Sequence, residues 1–170
     1  YDQVIGTIFK TSSPFNTPFD MEGLVKWYQK TTELHSLIKC AVFIVHFLAI
    51  HPFQDGNGRL SRALTTLMML KEGYVYAPYC SLESIVEKNK TAYYKALRHT
   101  QRSLSKNPDY SAWFQFFFEC LKKQKDLLIE KESLLKPQLT KNQTRLLGFA
   151  QTVSSFQNAE AALALTMNKN

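Results

Sequence analysis

Cysteine is scarce in this chain of 170 residues, with three in all: Cys40, Cys80 and Cys120. No two stand at CxxC spacing, and their surroundings (IKCAV, PYCSL, FECLK) are unlike each other. A redox pair, a cysteine metal site and an internal repeat are therefore all absent, and the odd count fits a reduced, cytoplasmic protein. Long hydrophobic runs are also missing. The apolar stretch from Cys40 to Ile50 is too short to cross a bilayer and contains His46, so it reads as a core helix. The N-terminus lacks a basic-then-apolar leader, and no membrane partner is expected. Acidic residues are outnumbered, 14 against 21 Lys and Arg, for a net charge of +7. Such a surplus suits an anionic small ligand without by itself indicating nucleic acid.

What the chain does hold is enough apolar and aromatic material for one core. Aromatic residues make up 13%, with Trp27, Tyr28, Trp113 and the Phe116-Phe117-Phe118 run available for packing. The most informative stretch is His51-Pro52-Phe53-Gln54-Asp55-Gly56-Asn57-Gly58-Arg59-Leu60-Ser61-Arg62. An apolar helix precedes it. After it, Leu60, Ala63, Leu64, Leu67 and Met68 recur at helical spacing, so the motif is a loop feeding a helix N-terminus. Such a terminus offers free backbone N–H groups and the positive end of a dipole, a ready phosphate site.

Each residue type has a use there. Gly56 and Gly58 allow a tight turn and close approach of an anion. Arg59 and Arg62, three apart, share a helix face and can grip phosphate oxygens. Asp55 is a hard oxygen ligand suited to a Mg²⁺ ion (or Mn²⁺) that bridges substrate phosphates. His51 is the side chain placed to take a proton near neutral pH. Taken one at a time, these features have plainer readings: Asp-Gly-Asn-Gly is a common turn, and two arginines can form a solvated helix face. Together they describe a phosphate-transfer site whose acceptor is activated by His51.

At these residues the chain resembles the Fic family, whose signature runs HPF, any residue, Asp or Glu, GNGR, two residues, Arg. Every fixed position is met. Fic enzymes mostly transfer AMP from ATP to a hydroxyl of a target protein. The resemblance implies His51 as the base for the target hydroxyl and Phe53 as a buried anchor for the loop. It implies Asp55 as the Mg²⁺ ligand, Gly56, Asn57 and Gly58 as the cradle for the α- and β-phosphates, and Arg59 and Arg62 on the outer phosphates. The phosphorylating Doc branch usually has Ala and Lys where this chain has Gly56 and Gly58, so Gly58 favours AMP transfer. The implied fold is all-α, a helical bundle with a small N-terminal β-hairpin flap.

The remaining elements can be set against that pattern. Val4 to Lys10 is β-prone and Ser12 to Pro18 turn-like. This stretch, about residues 3–18, resembles the flap that pairs with an extended piece of the target through residues such as Thr7, Ile8 and Phe9. The chain is expected to begin within the flap region of a longer protein. Asp20 reads as an N-cap for a helix with Met21, Leu24, Val25 and Tyr28 on one face. Gly73 reads as a helix stop, and Ser84-Ile85-Val86-Glu87 as a capping box. The helix that follows carries Tyr93-Tyr94-Lys95-Ala96-Leu97, similar to a Fic element whose aromatics help wall the adenine pocket; plain core packing is the alternative for Tyr93 and Tyr94. Asn107-Pro108 suits the start of another helix.

The catalytic domain is expected over 1–121, with the motif loop at 51–62 and a helical tail over 122–170. In the tail an amphipathic helix stops at Pro137. LTKNQTRLLGFA, at 139–150, then resembles the first helix of a winged-helix module. The last residues are too few to complete that module and hold no Lys/Arg cluster, which argues against DNA as a partner. The tail could equally pack or dimerise, so a homodimer stays open.

Many Fic proteins are silenced by a helix bearing [Ser/Thr]-x-x-x-Glu-[Gly/Asn], whose Glu pairs with the second motif arginine, here Arg62; no stretch of this sequence matches. The expected partners are ATP and a protein bearing a Ser, Thr or Tyr hydroxyl. Other readings stay open: another Fic chemistry (phosphotransfer, a different nucleotide, removal of AMP), or a nucleotide-sensing DNA-binding or toxin–antitoxin regulator. A metal hydrolase built on His46 and His51 is more distant, because a spacing of five does not put both on one helix face.

Overall fold

The computed structural model describes residues 11–135, 139–153 and 155–164. The flap residues Thr7, Ile8 and Phe9 lie outside them, and residues 11–16 carry no strand. Every helix or strand among the described residues is helical: α1 (Thr17–Lys30), α2 (Ser36–Ile50), α3 (Asn57–Lys71), α4 (Leu82–Lys88), α5 (Lys90–Ser103), α6 (Ser111–Leu135), α7 (Lys141–Ala150) and α8 (Asn158–Ala164), with a 3-10 turn at Ala77–Tyr79. The chain divides into two compact units, Tyr1–Glu130 and Lys131–Asn170. No described helix is long and apolar enough to cross a membrane.

α2 is the axis of the first unit. Its sequence, SLIKCAVFIVHFLAI, is apolar nearly all round, and a helix of that kind is stable only when surrounded. α1, α3 and α5 pack on it, which buries residues on several sides, from Cys40 and Ala41 through Val45 and Phe47 to Ile50. α6 reaches the same core through Trp113, whose indole Nε1 donates to the Ala41 carbonyl at 2.8 Å. The α2 carbonyl is already used within the helix, so this bond satisfies the indole without breaking the ladder.

α3 buries only part of its expected apolar face, Met68 and in part Leu64, and otherwise turns a polar face inward. Its buried residues are Asn57, Ser61, Thr65, Met68 and Met69, while Leu60, Leu67 and Leu70 are exposed. The inward hydroxyls are satisfied inside the helix: Ser61 Oγ donates to Gly58 O and Thr65 Oγ1 to Ser61 O, each at 2.8 Å. With that polarity internalised, small side chains can pack closely. The helix stops where the glycine placed it, since Gly73 takes φ +87° and donates to Leu70 O while Tyr74 N–H reaches Met69 O.

Several expected starts shift. α1 begins at Thr17, with Asn16 in the N-cap position and Pro18 in its first turn, so Asp20 lies inside the helix; proline is at home there because its missing N–H would be unpaired anyway. α4 is capped by Ser81, whose Oγ accepts from Ser84 N–H at 3.2 Å, and not by Ser84. Asn89, at φ −120°, separates it from α5. α6 starts at Ser111, whose amide donates to Asp109 Oδ1 at 2.9 Å, not at Asn107-Pro108. It then runs unbroken to Leu135, so the amphipathic stretch after Leu121 continues the aromatic helix and is no helix of its own. In the second unit, Thr140 and Gln143 form a capping box on α7, and Phe149 meets Phe156 at 5.3 Å between ring centres.

A buried glutamine fixes the connection between α3 and α4. Gln124 on α6 donates its amide to Ala77 O at 2.9 Å and Cys80 O at 2.7 Å. Gln124→Ala strands both carbonyls and should cost about 2–3 kcal/mol, read as a fall of several degrees in Tm; an unchanged melting curve would mean that water replaces both bonds.

Candidate active site

The motif loop spans the gap between α2 and α3, and its two ends hold the only non-helical turns it needs. Pro52 disfavours the helical conformation for the residue before it, so α2 ends at Ile50. His51 caps it in the left-handed region, at φ 57° and ψ 60°, with its N–H bonded to Phe47 O at 3.0 Å. It is the one non-glycine residue with positive φ among the described residues, and such backbone is costly unless the surroundings hold it. The turn throws the imidazole out of the helix line. Nδ1 lies 3.4 Å from Leu48 O, a contact that only the Nδ1–H tautomer can make, leaving the Nε2 lone pair free to accept a proton.

The loop is held by Asn57. Its carboxamide is 2% exposed; Oδ1 accepts from Phe53 N–H at 3.1 Å and Nδ2 donates to Phe53 O at 2.6 Å. The expectation of Phe53 as a buried anchor is corrected: its ring is 52% exposed. Only its backbone is fastened, because the polar clamp already sets the turn and α3 presents Ser61 and Thr65, not an apolar slot, toward the core. Asn57→Ala removes both bonds, and with the Phe53 backbone partly open to water the loss should be about 1–2 kcal/mol. A thermal melt within a degree of the parent would show that the clamp does not hold the loop.

α3 opens on Gly56, at φ 82°, and no side chain caps its first amides, since Asn57 is turned back toward Phe53. Those N–H groups face outward at the positive end of a helix of 15 residues. Gly58 serves a different purpose from Gly56. A methyl there would come within 3.3 Å of Arg62 Nη1, so glycine makes room for the guanidinium. Arg59 and Asp55 are both highly exposed and sit 3.5 Å apart, a contact of little energy in water.

These groups line one cleft of about 650 Å³. His51, Asp55, Gly56, Asn57, Gly58, Arg59 and Arg62 all contribute, and Tyr93 and Tyr94 form part of the opposite wall; Phe53 is not on this wall but on a shallower hollow beside it. Tyr93 is 7% exposed and packs on Trp113 and Phe116, so it is both core and lining; burial pushes its phenol up to about 12. Tyr94 is more open, with the Arg98 guanidinium 6.0 Å from its ring centre. His46 stands apart. Its Nε2 pairs with Tyr110 OH at 2.8 Å, burial lowers its pKa, and it does not join His51 in the cleft.

The sequence reading missed much of the α5 wall. Lys90, Leu97, Arg98 and Gln101 line the cleft with the two tyrosines. The signal was available as two adjacent i, i+4 stripes, Lys90-Tyr94-Arg98 and Tyr93-Leu97-Gln101. Also missed was Glu83, whose carboxylate takes Arg62 Nε and Nη2.

Comparison with known proteins agrees with this geometry. A family model described as the Fic/DOC family matches residues 2–69. A Fido domain-containing protein of Dictyostelium discoideum is 32% identical over 111 residues, 61% of this chain and 73% of that protein. A probable protein adenylyltransferase of Aquifex aeolicus is 28% identical over 98 residues, 58% of this chain and 28% of its own length. Protein adenylyltransferase Fic of Drosophila melanogaster is 28% identical over 121 residues, 70% of this chain and 22% of that protein. The chain thus spans well under a third of the two adenylyltransferases. A crystal structure of a Fic family protein from Desulfovibrio desulfuricans superposes with a TM-score of 0.65 at 23% identity, over 93% of this chain and 45% of that one. The fold is therefore shared well beyond the loop, and with nearly three quarters of the Dictyostelium protein matched as well, the chain belongs to the Fic/DOC family.

Proposed function

We propose that this chain transfers AMP from ATP to a side-chain hydroxyl of a target protein, releasing pyrophosphate. The observation that carries the reading is the convergence, in one cleft, of an outward-thrown imidazole with a free Nε2 and an uncapped helix start. The relatives named as adenylyltransferases support it at family level.

In this mechanism the triphosphate lies on the first amides of α3. Arg59 and Arg62 hold the outer phosphates, and the α-phosphate is left facing His51. The α5 wall around Tyr93 and Tyr94 receives the adenine. The target hydroxyl gives its proton to His51 Nε2 as its oxygen bonds the α-phosphorus; the bond from that phosphorus to the bridging oxygen breaks and pyrophosphate leaves. The Nδ1–H contact to Leu48 O orients the ring for this transfer. Asp55 is the residue that would hold Mg²⁺: an exposed carboxylate in the motif loop lining the cleft is the kind of ligand this ion takes when phosphates and waters complete its shell. Once bound, the ion would neutralise phosphate charge as it develops. Ser12 N–H bonds Ile50 O at 3.3 Å, so the described part of the expected flap passes beside His51, where a target strand would have to lie.

The test is intact mass and tandem mass spectrometry of the protein and of lysate proteins after incubation with ATP and Mg²⁺. An AMP adduct on a hydroxyl supports the reading. A phosphate adduct would replace it with phosphotransfer, and no adduct on any protein would sink both.

A further inference from the structure

Arg62 stands between two hollows. One is the cleft of about 650 Å³; the other, about 490 Å³, lies between α3 and the α3–α4 connection and includes Thr66, Leu70, Ser81 and Glu83 in its lining. Glu83 belongs to the second hollow and is not part of the cleft wall. From that side it grips one edge of the Arg62 guanidinium: Nε donates to Glu83 Oε2, and Nη2 to Oε1 at 2.5 Å. The remaining nitrogen, Nη1, is the one that a Cβ at Gly58 would meet first, at 3.3 Å. The outer edge is thus committed, while the tip stays at the helix start where phosphate would bind.

The carboxylate is itself well placed. Ser81 caps α4 through Ser84 N–H, Leu82 is buried, and Gln124 holds the Cys80 carbonyl. Glu83 therefore rises from a fastened backbone. Arg62 is only 17% exposed where Glu83 is 52%, and hydrogen bonding from the guanidinium holds the Glu83 carboxyl below its ordinary range. A forked pair of this kind fixes both the plane and the rotamer of an arginine.

We propose that Glu83 is a positioning residue that presents Arg62 to the outer phosphates of ATP, binding it from behind and not occupying the phosphate site. This rests on reading the cleft as an ATP site. Two effects oppose each other. A carboxylate near bound ATP repels it, but a half-exposed charge is well screened. An unsupported arginine must be ordered anew each time a phosphate arrives. Because Glu83 approaches from the second hollow, positioning is the larger effect.

Calorimetric titration of ATP and of AMP into the full chain decides the matter. Glu83→Ala should weaken ATP binding about tenfold, the low end of what removing an outer partner does to a ligand-holding group. AMP, which lacks the outer phosphates, should bind unchanged. Glu83→Gln keeps one acceptor and should recover part of the loss. In an Arg62→Ala background, Glu83→Ala should have no further effect. ATP binding that tightens in both Glu83 variants would show a competitor or a repulsive charge. ATP binding that stays constant would show an idle contact, and loss of AMP binding alongside ATP would show mere structural damage; each overturns the proposal. If the unaltered chain binds neither nucleotide, the ATP-site reading fails and Glu83 loses its role with it. Normal binding with unaffected variants removes Glu83 alone.

Discussion

His51→Ala should lower AMP transfer by roughly 10²–10⁴-fold, the range for loss of a general base, while ATP binding by calorimetry stays close to that of the parent. The two readouts separate because the imidazole acts on the acceptor hydroxyl, whereas the nucleotide rests on α3 and its arginines. The substitution also removes an unusual backbone residue. Alanine is no more at ease at φ 57° than histidine, so stability should fall slightly if at all. His51→Asn, a residue more tolerant of the left-handed region, gives the control: equally inactive, but with the cap conformation retained. Near-normal transfer in either variant would remove His51 from the mechanism. Loss of ATP binding in both would mean that the imidazole supports the nucleotide site and is not confined to the chemical step.

Asp55→Ala should reduce transfer by roughly 10²-fold or more, since a metal that neutralises phosphate charge contributes several kcal/mol and each 1.36 kcal/mol is a factor of ten. The residual activity should no longer respond to Mg²⁺ across the millimolar range. Folding should hardly change. Asp55 is 94% exposed and its ion pair to Arg59 is a screened surface contact, so stability read from the melting curve should stay within about ±0.5 kcal/mol of the parent. A variant that kept full Mg²⁺-dependent transfer would place the ion on other ligands.

The site was more legible in the sequence than the fold around it. Its chemistry sits in consecutive residues. Glycines at 56 and 58, a proline after His51 and a helix that must start at once are local constraints, and local constraints survive in one dimension. The glycine stop at Gly73 was readable for the same reason. The rotation of α3 was not. Of the expected stripe Leu60, Ala63, Leu64, Leu67 and Met68, only Met68 and, in part, Leu64 reach the core; the buried face otherwise carries Asn57, Ser61 and Thr65, because the Asn57 clamp on Phe53 sets the helix phase at its first residue. The same clamp made a buried Phe53 unnecessary. Cap positions at Asn16 and Ser81 were misjudged where two or three candidates stood within a turn, and only packing of Leu24 and Leu82 chooses among them.

By itself, then, the sequence determined which residues between 51 and 62 form the loop and helix start, the helical character of the described residues and the absence of any bilayer-length apolar run. The tertiary structure decided what faces that loop. It brought α5 across the cleft with Lys90, Tyr94 and Arg98, sent His46 to Tyr110 instead, and set Glu83 behind Arg62 across 21 residues of chain. Contacts between elements depend on where helices cross, which is set by the shape of the common core around α2 and has no signature in the residues that happen to meet.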